Sequence, residues 1–302
     1  MSRRSLAAVL AMLALLVGAG AVVGFSSGAV GRAQGGGAAT APARDTSSAA
    51  PTSPAVRGAG YYLALGDSLA AGFQNGADHR TEGYVGAVRK AVEDRDGATE
   101  LVNLACSGET TTTMLRGGGC TYGRGSQLAE AEQFLREHAA EVRLVTLDIG
   151  GNDVARCGFG GLKSSCTKPA LATLSDNLPQ ITSRLRAAAP DAEVVVLNYY
   201  DPFLVLDLVG SSGLGQKSVT ELAKVNAAIA SSAGASGARV ADVAAAFQTT
   251  VTTPVTVKDL GRVPTNLARI LTWTWMAPPR FDFHANDVGY SVMARAVQKQ
   301  LR

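Results

Sequence analysis

Short apolar runs alternate with longer Ala-rich runs from residue 61 to residue 300, and this rhythm restricts the fold more than any other feature. Val145-Thr146-Leu147 and Val194-Val195-Val196-Leu197 are short, apolar and partly β-branched. Such runs suit strands of a parallel sheet covered on both faces. Leu222-Ala223-Lys224-Val225-Asn226-Ala227-Ala228-Ile229 has the composition and spacing of a helix. Read this way, strands fall at 61–66, 100–105, 142–149, 193–199 and 238–241. Helices fall at 82–94, 126–139, 170–188, 215–233 and 287–300. This alternation predicts an α/β fold, a three-layer α/β/α sandwich around a mostly parallel sheet. No internal repeat and no second domain interrupts it, and 302 residues that are 46% hydrophobic suffice for a sizeable core. Residues 249–280 break the rhythm with Pro254, Pro264, Pro278 and Pro279, and are expected to form a long loop.

Polar clusters stand where the runs end. Tyr61-Tyr62-Leu63-Ala64-Leu65 closes on Gly66-Asp67-Ser68-Leu69. A rigid strand followed by a tight turn is what a serine nucleophile needs, provided that a base and an oxyanion site lie nearby. Asn103-Leu104-Ala105-Cys106-Ser107-Gly108-Glu109-Thr110 follows the second strand, and Gly150-Gly151-Asn152-Asp153 follows the third. Phe281-Asp282-Phe283-His284-Ala285-Asn286-Asp287 precedes the last helix. In a parallel sheet such segments gather at the carboxyl edge.

These four blocks, in this order, resemble the SGNH/GDSL hydrolase family over residues 60–302. The resemblance implies a flavodoxin-like sandwich and esterase or lipase chemistry without a cofactor. It implies that Ser68 is the nucleophile and His284 the general base. It also implies an oxyanion hole made by the backbone N–H groups of Ser68 and Gly108 and the amide of Asn152. Elimination among three histidines agrees. His138 sits in a charged helical stretch and His79 in a polar loop, which leaves His284.

The third member departs from the family pattern. Many members carry an Asp three residues before the His; here that position is Phe281, and Asp282 is two before. Two arrangements remain open: Asp282 holds the imidazole tautomer, or a backbone carbonyl does so and the site is a dyad. Asp67 and Asp153 are read as turn braces, and Asp287 as a helix-start residue. Trp273, Trp275 and Tyr199 are candidate pocket walls; packing of the aromatic loop onto the core is the competing reading. Three scattered histidines and four cysteines without CxxC spacing make no metal site.

The ends of the chain bear on location. Residues 1–25 read as a signal peptide or N-terminal anchor: Arg3-Arg4, then an uncharged apolar run from Leu6 to Phe25. Membrane attachment through residues 6–25 is the alternative to cleavage. Residues 26–58 are a Gly/Ala/Ser/Pro linker, which leaves 59–302 as the hydrolase domain. The net charge of +3 includes Arg3 and Arg4, and no basic stripe with interleaved aromatics supports nucleic-acid binding. Cys106, Cys120, Cys157 and Cys166 suit two disulfides in an exported chain, paired as sequence neighbours, Cys106–Cys120 and Cys157–Cys166. The expectation is a monomeric, exported serine ester hydrolase acting on a small-molecule or lipid ester. A carbohydrate O-deacetylase and an inactive cell-surface binding module are the alternatives.

Overall fold

The computed structural model describes residues 60–209, 213–258 and 260–302. The leader and linker expected over residues 1–58 lie outside the described residues. Five parallel strands form the central sheet: β1 (Gly60–Gly66), β2 (Thr99–Asn103), β3 (Val142–Asp148), β4 (Glu193–Leu197) and β5 (Arg239–Ala241), in the order β2-β1-β3-β4-β5. Tyr62, Leu63, Ala64 and Leu65 of β1 are fully buried, as a strand covered on both faces requires. The longer helices are α1 (Gly83–Asp96), α3 (Gln127–Glu137), α5 (Ser164–Ala188), α6 (Leu214–Ala235) and α9 (Asp287–Gln298). They cover the sheet as the three-layer α/β/α sandwich.

The strand order reverses beside β1, which is followed by β2 on one side and β3 on the other. A crevice opens at such a switch point, at the carboxyl ends of the strands. The chain leaves β1, β2 and β3 there, at Asp67, Leu104 and Ile149.

Several shorter elements differ from expectation. α2 (Thr111–Arg116) forms in a threonine-rich run because Thr110 and Thr113 cap one another reciprocally. α4 (Gly151–Phe159) occupies a glycine-rich stretch that offers little helix propensity. α5 starts at Ser164 and runs through Pro169, where the expected helix began only after that proline. A 3₁₀ segment spans Pro202–Val209, and α7 is a single turn, Val243–Ala246.

The long loop expected over 249–280 is corrected in part. It contains an antiparallel hairpin, β6 (Pro254–Val257) with β7 (Gly261–Pro264), and a helix, α8 (Thr265–Trp273). The prolines occupy the open end of the hairpin, where Pro254 faces Pro264, so neither interrupts a ladder. Leu267, Ile270 and Leu271 form the buried stripe that makes 265–273 helical.

Candidate active site

The β1 turn presents Ser68. Gly66 has φ 136°, and a Cβ there would stand 2.1 Å from the carbonyl oxygen of Asp148. Only glycine fits that approach. The side chain of Gln127, at the start of α3, pairs with both backbone groups of Gly66: the Gly66 N–H donates to Oε1 at 2.6 Å, and Nε2 donates to the carbonyl at 3.0 Å. Asp67 folds its carboxylate under the turn. Its Oδ1 accepts from Leu69 N at 2.9 Å, and its Oδ2 accepts from the Tyr199 hydroxyl at 2.8 Å. The brace expected of Asp67 is therefore visible as two hydrogen bonds. Asp153 likewise accepts from the Thr111 N–H and hydroxyl and joins α4 to α2.

Ser68 is 7% exposed and His284 is 8% exposed. His284 Nε2 lies 2.9 Å from Ser68 Oγ, and Nδ1 lies 2.6 Å from Asp282 Oδ1. A carboxylate can only accept, so Nδ1 carries the proton and Nε2 accepts from the Ser68 hydroxyl. Burial alone would raise the Asp282 carboxyl. The hydrogen bond from His284, and its charge, outweigh burial and hold Asp282 below the ordinary carboxylate value. The two-residue spacing works because Asp282 Oδ1 also accepts from His284 N at 3.0 Å, a local turn that brings the carboxylate beside the ring. Of the two arrangements open in the sequence, the structure has the carboxylate in place. Phe73 and Phe283 flank the imidazole, each 4.4 Å away between centroids.

The other two expected oxyanion donors follow two other strands, β2 and β3. Gly108, after β2, has φ 84°, and a Cβ there would meet open space. Among the described residues neither the Ser68 N–H nor the Gly108 N–H is taken by a protein acceptor. Asn152 sits in the first turn of α4, and one of its amide hydrogens donates to the Glu109 carbonyl at 2.9 Å, which fixes the side chain beside the Gly108 turn. The disulfides Cys106–Cys120 and Cys157–Cys166 close the loops that follow these two blocks.

A cavity of about 90 Å³ opens at Ser68 and Asn152. Val154, Ala155 and Leu162 form one wall; Tyr199, Tyr200, Phe203 and Phe283 form another; and α6 contributes Ser218, Glu221, Leu222 and Val225. Tyr199 is where the sequence reading put it. Trp273 and Trp275 are not, and this is a correction. Trp273 packs edge-on against Phe247 at 5.4 Å, with the Arg269 guanidinium 4.4 Å above its ring. Trp275 lies beneath Arg280 at 3.9 Å and donates from Nε1 to Gln74 Oε1. The reason is backbone pairing. Trp275 N donates to His284 O and Asp282 N donates to Trp275 O, so this segment supports the His284 loop through its main chain and turns its rings elsewhere.

Three buried groups beneath the site were missed. Asp148 accepts from Asp67 N at 3.0 Å and from the Tyr84 hydroxyl at 2.7 Å. Burial, and then the neighbouring Asp67, push its carboxyl well above the ordinary value. An acidic residue closing the strand Val142–Asp148 just before the Gly150-Gly151-Asn152-Asp153 block was the available signal. Gln127 and Glu109, joined at 3.1 Å, carried none. His138 pairs with Glu141 at 2.8 Å, and His79 stands 3.9 Å from Glu82; neither joins Ser68. Among the described residues no cluster of His, Cys, Asp and Glu could hold a metal ion.

The model of the GDSL-like lipase/acylhydrolase family matches residues 64–292. Among solved structures, phospholipase A1 from Streptomyces albidoflavus NA297 is 20% identical, with 80% of this chain and 99% of that chain covered, at a TM-score of 0.51. The extracellular lipase from Streptomyces rimosus is 22% identical, with 81% and 100% covered, at 0.52. The lipase Lip_vut3 from a goat rumen metagenome is 20% identical, with 80% and 96% covered, at 0.53. At these identities the likeness is one of fold. No curated protein sequence matches the chain.

Proposed function

From the premise that the chain belongs to the GDSL-like lipase/acylhydrolase family, an ester-hydrolysing family, we propose that it is a serine carboxylic ester hydrolase with Ser68 as nucleophile. The observation that carries this reading is the imidazole of His284, held between Ser68 Oγ at 2.9 Å and Asp282 Oδ1 at 2.6 Å. His284 Nε2 takes the Ser68 proton as Oγ attacks the ester carbonyl. Asp282 stabilises the imidazolium that results. The N–H groups of Ser68 and Gly108 and the amide of Asn152 receive the oxyanion. Each such donor is worth about 3 kcal/mol of barrier. His284 then protonates the leaving alcohol, and a water activated by the same nitrogen releases the acid from Ser68.

The apolar walls beside Ser68 favour an ester with an apolar acyl part over a bare acetate. Two disulfides suit an oxidising compartment, and the enzyme is proposed to act outside the cytoplasm. Among the described residues no helix is long and apolar enough to cross a membrane.

Hydrolysis of p-nitrophenyl esters from acetate to palmitate, with Ser68→Ala alongside, tests the reading. The expected outcome is a rate that rises from acetate to medium chains and falls by at least about 1,000-fold in the variant. Activity on acetate alone would move the assignment to a deacetylase. Activity untouched by Ser68→Ala would end the proposal.

A further inference from the structure

Glu221 is an unexpected residue in the wall of the substrate cavity. It lies on α6 and is 9% exposed. Its Oε1 accepts from Lys224 Nζ at 2.7 Å, but the Lys224 side chain is 53% exposed. Glu221 Oε2 is buried and has no hydrogen-bond partner among the described residues. A buried acceptor without a donor carries a desolvation penalty, which a ligand that brings positive charge removes.

The rest of the cavity points to the kind of ligand. Asp201, 1% exposed, stands in the same wall. Its oxygens accept from Phe203 N and from the Ser218 hydroxyl, at 2.9 and 2.7 Å. Burial pushes its carboxyl up to about 6, so it is ionised above that pH. No Lys, Arg or His side chain lines the cavity, and the cation at Glu221 is Lys224, on Oε1 alone and outside the lining. The hydroxyls of Tyr199 and Tyr200 are already donated, to Asp67 Oδ2 and to Phe283 O, so these residues offer the cavity their rings. Aromatic faces beside a buried carboxylate oxygen that has no donor make a site for an organic cation.

We propose that this cavity receives an ammonium group carried by the ester substrate, and that Glu221 is the residue that selects it. The proposal rests on the ester-hydrolase reading for its setting, but the binding it asserts is measurable without turnover. The ammonium can belong to the leaving alcohol or to the acyl chain; the chemistry recognised is the same.

Isothermal titration of the full chain compares choline with 3,3-dimethylbutan-1-ol, a neutral molecule of the same shape. Choline is expected to bind at least about tenfold more tightly. Glu221→Gln should abolish that preference. Lys224→Met should increase it, because it removes the cation that competes for Glu221; this side chain is exposed, so the variant folds independently of the cavity. Equal affinity for the two probes, or a preference that neither variant moves, overturns the proposal.

Two kinetic arms then locate the ammonium. Butyrylcholine against 3,3-dimethylbutyl butyrate places it on the alcohol. The p-nitrophenyl esters of 4-(trimethylammonio)butyrate and 5,5-dimethylhexanoate place it on the acyl group. A charged-to-neutral kcat/KM ratio of about ten in either arm supports the proposal, and ratios of one in both contradict it. Choline preference in a protein that hydrolyses no ester would instead contradict the ester-hydrolase reading alone.

Discussion

Asp282 makes two hydrogen bonds with one oxygen, to the backbone N–H and the ring Nδ1 of His284, and so sets both where the ring sits and which nitrogen is protonated. Asp282→Asn should place an amide opposite Nδ1 and favour the wrong tautomer, with kcat on p-nitrophenyl butyrate at least about 100-fold lower and KM little changed. An unchanged kcat would mean that a backbone carbonyl suffices. Asp201 supplies a second test, through stability. Its carboxyl titrates near 6 in the folded chain against 3.8 as a free group. The folded state therefore holds a proton that the unfolded state has lost between those values, so stability is intact below about 3.8 and falls as pH rises to about 6. The linked loss is about 3 kcal/mol. Asp201→Asn should remove it: denaturant unfolding at pH 4 and pH 7 should show the variant gaining on the wild type at the higher pH. A difference independent of pH would contradict the shift.

The elements deliver these residues because three strand ends meet at one edge of the sheet, and much of this was legible in advance. Val194-Val195-Val196-Leu197 and its counterparts announce buried strands by composition alone, and the Ser68, Gly108 and Asn152 turns follow them directly. What stayed hidden depends on contacts far apart in sequence. Gln127 reads as one polar residue in an amphipathic helix, yet it serves Gly66, 61 residues away. Gln127→Leu should leave the Gly66 N–H buried without its Gln127 acceptor, while the Gly66 carbonyl keeps the Cys106 N–H at 3.0 Å, at a cost of about 1–3 kcal/mol in chemical denaturation; a loss under 0.5 kcal/mol, on the order of an ordinary surface change, would mean the clamp is dispensable. Trp273 and Trp275 misled for a related reason: nearness to His284 in sequence says nothing of ring direction once the backbone is paired. α2 and α4 escaped notice because a reciprocal threonine cap and a disulfide offset weak helix propensity. Replacing Cys157 and Cys166 together by Ser should lower stability by about 2–3 kcal/mol, and it should lower kcat more than KM because α4 carries Asn152.

Across the whole molecule, rigidity and reactivity are separated. The sheet and its helices bury the apolar core, while Ser68 and Asn152 line a mostly apolar cavity at the carboxyl edge of the sheet and His284 stands on Ser68. Beyond core packing, the rim is held by covalent and hydrogen-bonded ties: two disulfides, the Gln127 clamp, and the backbone pairing of Trp275 with the His284 loop. The account stands or falls on whether this assembly activates Ser68. Peptide mapping by mass spectrometry after reaction with a fluorophosphonate measures that most directly. The account expects a single adduct on the peptide containing Ser68, none in Ser68→Ala, and labelling slowed at least about 100-fold in His284→Ala. An adduct on another residue, or equal labelling of wild type and Ser68→Ala, would contradict it.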